Sequence, residues 1–159
     1  MTLWKISEIK SALGADLISV GDVQLEINEV LIDSRKKSNN GLFIALIGEN
    51  NDGHNFLNQA FENGSVAALV EKIPDGFEKD SRLILVKNSA QALNNLAIFS
   101  RKRTNATIIG ITGSVGKTSV KEMLRTAFCA AGKTFATRGN LNNHFGLPLS
   151  FANLESDCE

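Results

Sequence analysis

The chain has 159 residues, 43% of them hydrophobic, which is enough for a core in one ordinary domain or two small ones. Seventeen basic residues balance seventeen acidic ones, so the net charge gives no reason to expect nucleic acid or an anionic membrane as a partner. No apolar run approaches the roughly 20 residues that span a bilayer, and charges interrupt the apolar pattern of "MTLWKISEIK", so it does not read as a signal peptide. Cys129 and Cys158 lie far apart without metal-site spacing, and a reducing cytoplasm is the simplest setting.

In chain order, "KISEIKSALG" (5–14) reads as a short helix with Ile6, Ile9 and Leu13 on one face, stopped by Gly14. Trp4, just before it, reads as a packing residue. "NEVLIDSR" (28–35) is a strand running into a polar loop, and "GLFIALIGEN" (41–50) is an apolar strand from Leu42 to Ile47. "HNFLNQAFENG" (54–64) is helical, with Phe56, Leu57, Ala60 and Phe61 facing inward and Gly64 as the C-cap. "SVAALVEK" (65–72) is a buried strand, and after an "IPDG" turn "RLILV" (82–86) is another. Ser89 is the expected N-cap of a helix through Arg103 that carries Leu93, Leu96, Ala97 and Ser100 at helical spacing. Then "NATIIGI" (105–111) reads as a strand, 117–132 as a helix containing Cys129 as a small core residue, and "KTFAT" (133–137) as a strand.

Strands alternating with helices argue for α/β architecture with largely parallel pairing. The basic, polar "SRKRTNAT" places a boundary near Thr104, giving units 1–103 and 104–159. The second holds only one β-α-β segment and a tail. Such a segment cannot bury both faces of its own sheet, so this unit is expected to be incomplete.

The chemistry sits at "TGSVGKTS", Thr112 to Ser119. A strict Walker A loop has four residues between its glycines. Here Gly113 and Gly116 are separated by two, Ser114 and Val115. The physics of a phosphate cradle still holds. A strand delivers a tight turn, and the two glycines permit close backbone approach. Successive N–H groups then face an anion at a helix N-terminus. Lys117 is placed for the terminal phosphates and Thr118 for a Mg²⁺ that keeps most of its water. The helix behind carries an apolar stripe of Val120, Met123, Leu124, Ala127, Phe128 and Ala131. Lys121 and Arg125 point elsewhere, most simply to solvent.

This loop resembles that of the Mur ligases, the ATP-dependent amide-forming enzymes of peptidoglycan synthesis, which use the shortened T-G-x-x-G-K-T form. The third variable position, Val115, often holds a small or polar residue in the family. "DSRKKSNNGLFIALIGENNDGHNFLNQAFENGSVAALV" (33–70) is similar to the family's N-terminal domain, in which D-S-R, L-F-x-A-L-x-G and D-G-H-x-F recur. "TRGNLNNHFGLPLSF" (137–151) is similar to the branch that joins D-alanyl-D-alanine to UDP-N-acetylmuramoyl-tripeptide. The sibling that adds the third amino acid carries a threonine-rich segment there.

The resemblance implies a small N-terminal α/β domain for the UDP-substrate, followed by the start of a P-loop ATPase-type α/β domain. It implies ATP and Mg²⁺ as cofactors, with Thr112, Gly113, Ser114, Val115, Gly116, Lys117, Thr118 and Ser119 holding the nucleotide and Thr118 the metal. Lys117, Asn142 and Asn143 would serve the reacting groups. Ser34, Arg35, Gly53 and His54 would meet the UDP end of the substrate. Each assignment has a plainer counterpart. Asp33-Ser34-Arg35 also fits an Asx/Ser turn with a solvated arginine. Asp52 or Asn55 also fits a simple helix cap with His54 as a first-turn polar residue, and Asn140, Asn142 and Asn143 also fit a turn-rich loop. His144 has no assigned role. The family's acidic Mg²⁺ ligands and third domain match nothing in these residues, so the 159-residue chain alone is expected to be inactive, and monomeric. Two further readings stay open: the sibling ligase, and a module that binds UDP-muramoyl peptide without chemistry. A P-loop kinase or GTPase is a distant reading, because no guanine-reading N-K-x-D occurs.

Overall fold

A computed structural model describes residues 2–21, 25–49, 51–137 and 144–159. Its centre is a five-stranded sheet in the order β2-β7-β6-β5-β4. The strands are β2 (Leu17–Val20), β4 (Glu29–Leu31), β5 (Gly41–Ile44), β6 (Ser65–Val70) and β7 (Leu83–Val86). Strands β4 to β7 pair in parallel, and β2 joins antiparallel to β7. A separate two-stranded antiparallel pair, β1 (Trp4–Lys5) with β3 (Glu26–Ile27), sets Trp4 opposite Ile27.

A parallel sheet needs cover on both faces. Strand side chains alternate, and the alternation splits the core in two. Leu42, Ile44, Leu69, Ile84 and Val86 face α1 (Ile6–Leu13), α3 (Ser89–Lys102) and α5 (Gly146–Ala152). Phe43, Ala45, Ala68, Val70 and Leu83 face α2 (Leu57–Glu62). The α1 stripe buries Ile9 and Leu13, as its period requires, and Glu8 reaches back to the Lys5 amide over 2.8 Å to cap the first turn. Helix α2 stops at Asn63, and the chain turns at Gly64 with φ +97. A Cβ there would lie 2.0 Å from the Ser38 carbonyl oxygen, so both backbone sign and space call for glycine.

Several expectations are corrected. The N-cap of α3 is Asn88, whose side chain accepts from the Gln91 amide at 2.8 Å. Ser89 is instead buried, and its amide and hydroxyl both donate to Glu71. Phe56 is exposed, because a short 3-10 turn over Gly53–Phe56 precedes α2 and rotates it off the inward face. The strand expected to reach Ile47 ends at Ile44.

The larger correction lies in the second unit. Residues 105–111 and 133–137 take no regular secondary structure and form no ladder among the described residues. Helix α4 (Lys117–Phe128) forms as the pattern requires, yet none of its residues is buried, and Met123 is 70% exposed. Its apolar stripe has the right period and no sheet to pack on. A strand exists only when a neighbour takes its amides, and one β-α-β segment supplies too few. Cys129, expected in a core, is exposed at the end of α4 for the same reason. Only Ala106 and Phe135 find a small cluster, with Phe151, Leu154 and Cys158. No helix among the described residues is long and apolar enough to cross a membrane.

Candidate functional site

The loop before α4 has the conformation a phosphate cradle needs. Gly113 and Gly116 hold positive φ, +154 and +80, and Gly116 is the N-cap in a left-handed conformation. No side chain caps the helix, so the first-turn N–H groups stay open to a ligand. Thr112, Gly113, Ser114, Val115, Gly116, Thr118 and Ser119 are all exposed, and Lys117 is half-buried. The Lys117 ammonium folds back onto the Gly113 carbonyl, spanning the loop that an anion would occupy. Thr118 presents its hydroxyl in the first turn. Mg²⁺ takes few protein ligands and keeps water, so one hydroxyl beside a phosphate cradle suits it. No group of three or more His, Cys, Asp and Glu able to hold a metal occurs among the described residues. Lys121, expected in solvent, instead donates to the Thr137 carbonyl at 2.7 Å and ties the 133–137 segment to α4. Asn140, Asn142 and Asn143 lie outside the described residues.

The other candidates sit on the first unit. Asp33 follows β4 and accepts from the Arg35 amide at 3.0 Å and from its guanidinium at 2.9 and 2.8 Å. The Arg35 hydrogen bond is the main cause that lowers the Asp33 carboxyl to about 2. Ser34 is buried, donates to Gln59 at 2.6 Å, and its carbonyl takes the Asn63 amide group at 2.9 Å. The sequence holds a second D-S-R, Asp80-Ser81-Arg82, which repeats the Asp–Arg bonds at 2.9 and 2.6 Å. There the guanidinium lies 3.7 Å over the Phe61 ring. The ion-paired turn is therefore a local habit of the tripeptide. What separates the first copy is exposure, with the Arg35 side chain 79% exposed.

In the D-G-H stretch, a Cβ on Gly53 would come within 2.8 Å of the Leu46 backbone. The loop therefore lies flat against the end of β5, and the Gly53 amide donates to the Leu46 carbonyl. Asp52 accepts from the His54 amide, from its Nδ1 at 2.5 Å and from Lys72 at 2.7 Å. Those bonds, led by Lys72, hold its carboxyl well below the usual range. The His54 Nε2 accepts the Glu71 amide at 2.9 Å, so the ring proton sits on Nδ1. The imidazole is buried and both its nitrogens are engaged within the fold.

A groove of about 750 Å³ runs beside the β4 edge, between Asp33 and Lys36 on one side and Phe135, Asn153 and Asp157 on the other. Apart from Phe135, its second wall is the segment 149–157, to which the sequence pattern assigns no element. Helix α5 begins at Gly146, and Pro148 sits in its first turn, where a missing N–H costs nothing.

Two family models match the chain. The Mur ligase family, catalytic domain, covers residues 26–101, and the Mur ligase middle domain covers 111–159. The chain belongs to the Mur ligase family. A UDP-N-acetylmuramoyl-tripeptide–D-alanyl-D-alanine ligase of Rickettsia prowazekii is 38% identical over 99% of this chain and 34% of its own length. That of Escherichia coli is 36% identical over 97% of this chain and 33% of its own. A crystal structure of MurF from Acinetobacter baumannii superposes with a TM-score of 0.81 at 33% identity, over 98% of this chain and 34% of that one. MurF ligase from Thermotoga maritima in complex with ADP gives 0.59 at 32% identity, over 79% of this chain and 29% of that one. This Mur ligase chain thus spans about a third of the length of the curated relatives it matches. In Mur ligase terms, the D-S-R and D-G-H loops fall in the first matched region, and the phosphate loop and α5 in the second.

Proposed function

We propose that this chain carries the UDP-substrate unit (1–103) and the nucleotide loop (in 104–159) of an ATP-dependent ligase. In this reading the ligase joins D-alanyl-D-alanine to UDP-N-acetylmuramoyl-tripeptide, as a monomer in the cytoplasm where ATP is available. The observation that carries the reading is the loop Thr112–Ser119, in cradle conformation at the start of α4, within a chain that aligns over 99% of its own length with 34% of such a ligase.

The chemistry follows from the acceptor. A carboxylate resists amide formation at neutral pH because oxide is its leaving group. Transfer of the terminal phosphoryl group of ATP to a carboxylate oxygen releases ADP and gives an acyl phosphate. The amine of D-alanyl-D-alanine then attacks the carbonyl carbon, loses a proton, and expels phosphate as the amide forms. The chain's own contribution is position and charge. The amides around Gly113 to Lys117 and Ser119 hold phosphate oxygens, and Lys117 leaves the Gly113 carbonyl to meet the charge on the group in flight. Thr118 would hold the Mg²⁺, which neutralises phosphate charge when bound. Asn142 and Asn143 would donate to phosphoryl oxygen and accept from the amine. Arg35, exposed beside Ser34, would offer its guanidinium to the UDP end. Gly53 and His54 would serve by shaping the loop whose backbone meets that end.

The test is binding and turnover in one preparation. Calorimetry should show UDP-N-acetylmuramoyl-tripeptide and MgADP each binding the 159-residue chain. Adding ATP, Mg²⁺ and D-alanyl-D-alanine should give no sustained phosphate release, because the chain spans only about a third of the length of the ligases it matches. Binding of neither ligand would overturn the assignment, and sustained turnover would overturn the division of labour.

A further inference from the structure

Strand β4 is an edge strand of the sheet, and its outward backbone groups at Val30 do not go to another strand. They go to one side chain 123 residues away. The Val30 amide donates to Asn153 Oδ1 at 2.9 Å, and Asn153 Nδ2 donates to the Val30 carbonyl at 3.0 Å. An asparagine amide here does the work of a neighbouring strand, satisfying a donor and an acceptor on the same residue. The same Nδ2 also donates to the Leu149 carbonyl at 2.9 Å, which fixes the side chain against its own helix. The segment that bears Asn153 is itself fastened by main-chain capture. Trp4, Ser100 and Thr104 donate side-chain hydrogens to the carbonyls of Ala152, Leu154 and Cys158 at 2.8, 3.0 and 3.1 Å.

We propose that Asn153 is a positioning residue that couples the nucleotide-side segment to the strand carrying the D-S-R loop. Asp33 lies three residues beyond Val30 on the same strand exit, and both line the groove that Asn153 closes from the other side. A shift of α5 therefore moves the register of β4 against that groove, and the Arg35 turn moves with it. This rests on the reading that Arg35 and Ser34 meet the UDP end of the substrate. The contact between Asn153 and β4 is measurable without any ligand.

Two variants and two measurements test it. In Asn153→Ala, amide hydrogen exchange at Val30 should rise at least about tenfold, matching two lost hydrogen bonds of modest net worth, while Phe43 in β5 exchanges as before. UDP-N-acetylmuramoyl-tripeptide affinity should fall about tenfold while MgADP affinity stays within about twofold. Asn153→Asp is isosteric and keeps an oxygen for the Val30 amide, but turns a second acceptor toward the Val30 and Leu149 carbonyls. It should lower affinity for the UDP-peptide in the same direction with Val30 still protected, and it serves if the alanine variant does not fold. Unchanged Val30 exchange in the alanine variant, or full UDP-peptide affinity in both variants, overturns the coupling. A wild-type chain that binds no UDP-peptide defeats the substrate reading instead, and the Val30 amide then decides whether Asn153 holds β4.

Discussion

The indole nitrogen of Trp4 donates to the carbonyl of Ala152 over 2.8 Å, across 148 residues of sequence. Ala152 is the last residue of α5, and a helix leaves its final carbonyls without partners. Trp4 thus caps a helix at the other end of the chain while its ring stays fully buried. The Arg103 guanidinium lies 4.0 Å over that ring and Phe99 packs beside it, so the indole is fixed before it donates. Trp4→Phe keeps a ring for both neighbours and removes only the donor and some volume. It leaves a buried carbonyl unsatisfied, and the expected loss is about 2 kcal/mol. Urea denaturation should show a lower midpoint at unchanged slope. A midpoint equal to wild type would mean that water or another donor serves Ala152.

That contact also shows where the sequence stopped being legible. Trp4 was readable as a packing residue because it is large and apolar, but its partner lies beyond the asparagine stretch of the sequence. Nothing local in "GLPLSFA" marks α5, which is seven residues long with a proline in its first turn. Its burial depends on α3, some fifty residues earlier. By contrast Ile9 with Leu13, and Leu93 with Leu96, declared their helices by spacing alone, and the runs of β5, β6 and β7 declared a doubly covered sheet. Strand β2 hid because Ile18 and Ser19 face outward and only the β7 edge recruits it. The reverse failure is 105–111, where the apolar pattern was read as a strand. Periodicity reports which side chains could be buried, not whether a neighbouring strand is there to receive the amides. Among the candidate site residues, the turn before α4 was legible because Gly113 and Gly116 permit the positive φ it uses. The engagement of His54 was not, since the Glu71 amide reaches its ring, and Lys72 reaches its partner Asp52, only through the fold.

Gly64 makes the turn from α2 to β6 with φ +97 and the Ser38 carbonyl against its Cα. Gly64→Ala meets both a left-handed backbone and a backbone atom that cannot retreat without moving the β5 entry. The expected cost is about 2 to 4 kcal/mol, above the roughly 1 kcal/mol of a left-handed alanine alone. A thermal midpoint within two or three degrees of wild type would show that the Ser38 loop yields easily, since about 1 kcal/mol moves a domain of this size by several degrees.

The Asp33–Arg35 turn makes a pH prediction. Arg35 lowers the Asp33 carboxyl to about 2 in the folded chain, against about 3.9 when unfolded. A depressed carboxylate contributes stability that is present above the unfolded value and is lost as pH falls toward the folded one. The window is therefore about pH 4 down to about pH 2. The side chains are 48% and 79% exposed, so solvent screens the pair and its contribution to stability is small. Carbon-detected NMR titration should put the Asp33 midpoint near 2 in wild type and return it toward 4 in Arg35→Ala. An ordinary midpoint in wild type would mean that the guanidinium points elsewhere in solution.

His54 distinguishes a fold-shaping residue from a ligand contact. Removing its ring in His54→Ala orphans the part-buried Glu71 amide and leaves Asp52 with Lys72 and the residue 54 amide alone. The expected destabilisation is about 2 to 4 kcal/mol from the unsatisfied donor and the cavity together. His54→Asn offers an acceptor of shorter reach and should recover only part of it. If both variants were as stable as wild type while binding UDP-peptide poorly, the imidazole would be a direct contact rather than a brace for the loop.

Lys117 carries the strongest functional prediction because its side chain has two competing partners. It rests on the Gly113 carbonyl, a neutral acceptor, and a phosphate offers a charged one, so nucleotide binding should draw it across the loop. Lys117→Ala removes one charge-assisted contact of about 1.5 to 3 kcal/mol, a loss of roughly ten- to a hundredfold in MgADP affinity. The fold should be untouched, since α4 buries nothing and Lys117 takes part in no core cluster. Lys117→Arg keeps the charge but brings a planar fork too broad for a cradle built of backbone amides, and should rescue little. Calorimetry of both variants beside wild type gives the answer directly. Equal MgADP affinity in Lys117→Ala and wild type would place the nucleotide away from this loop and remove the basis for assigning it the phosphoryl transfer.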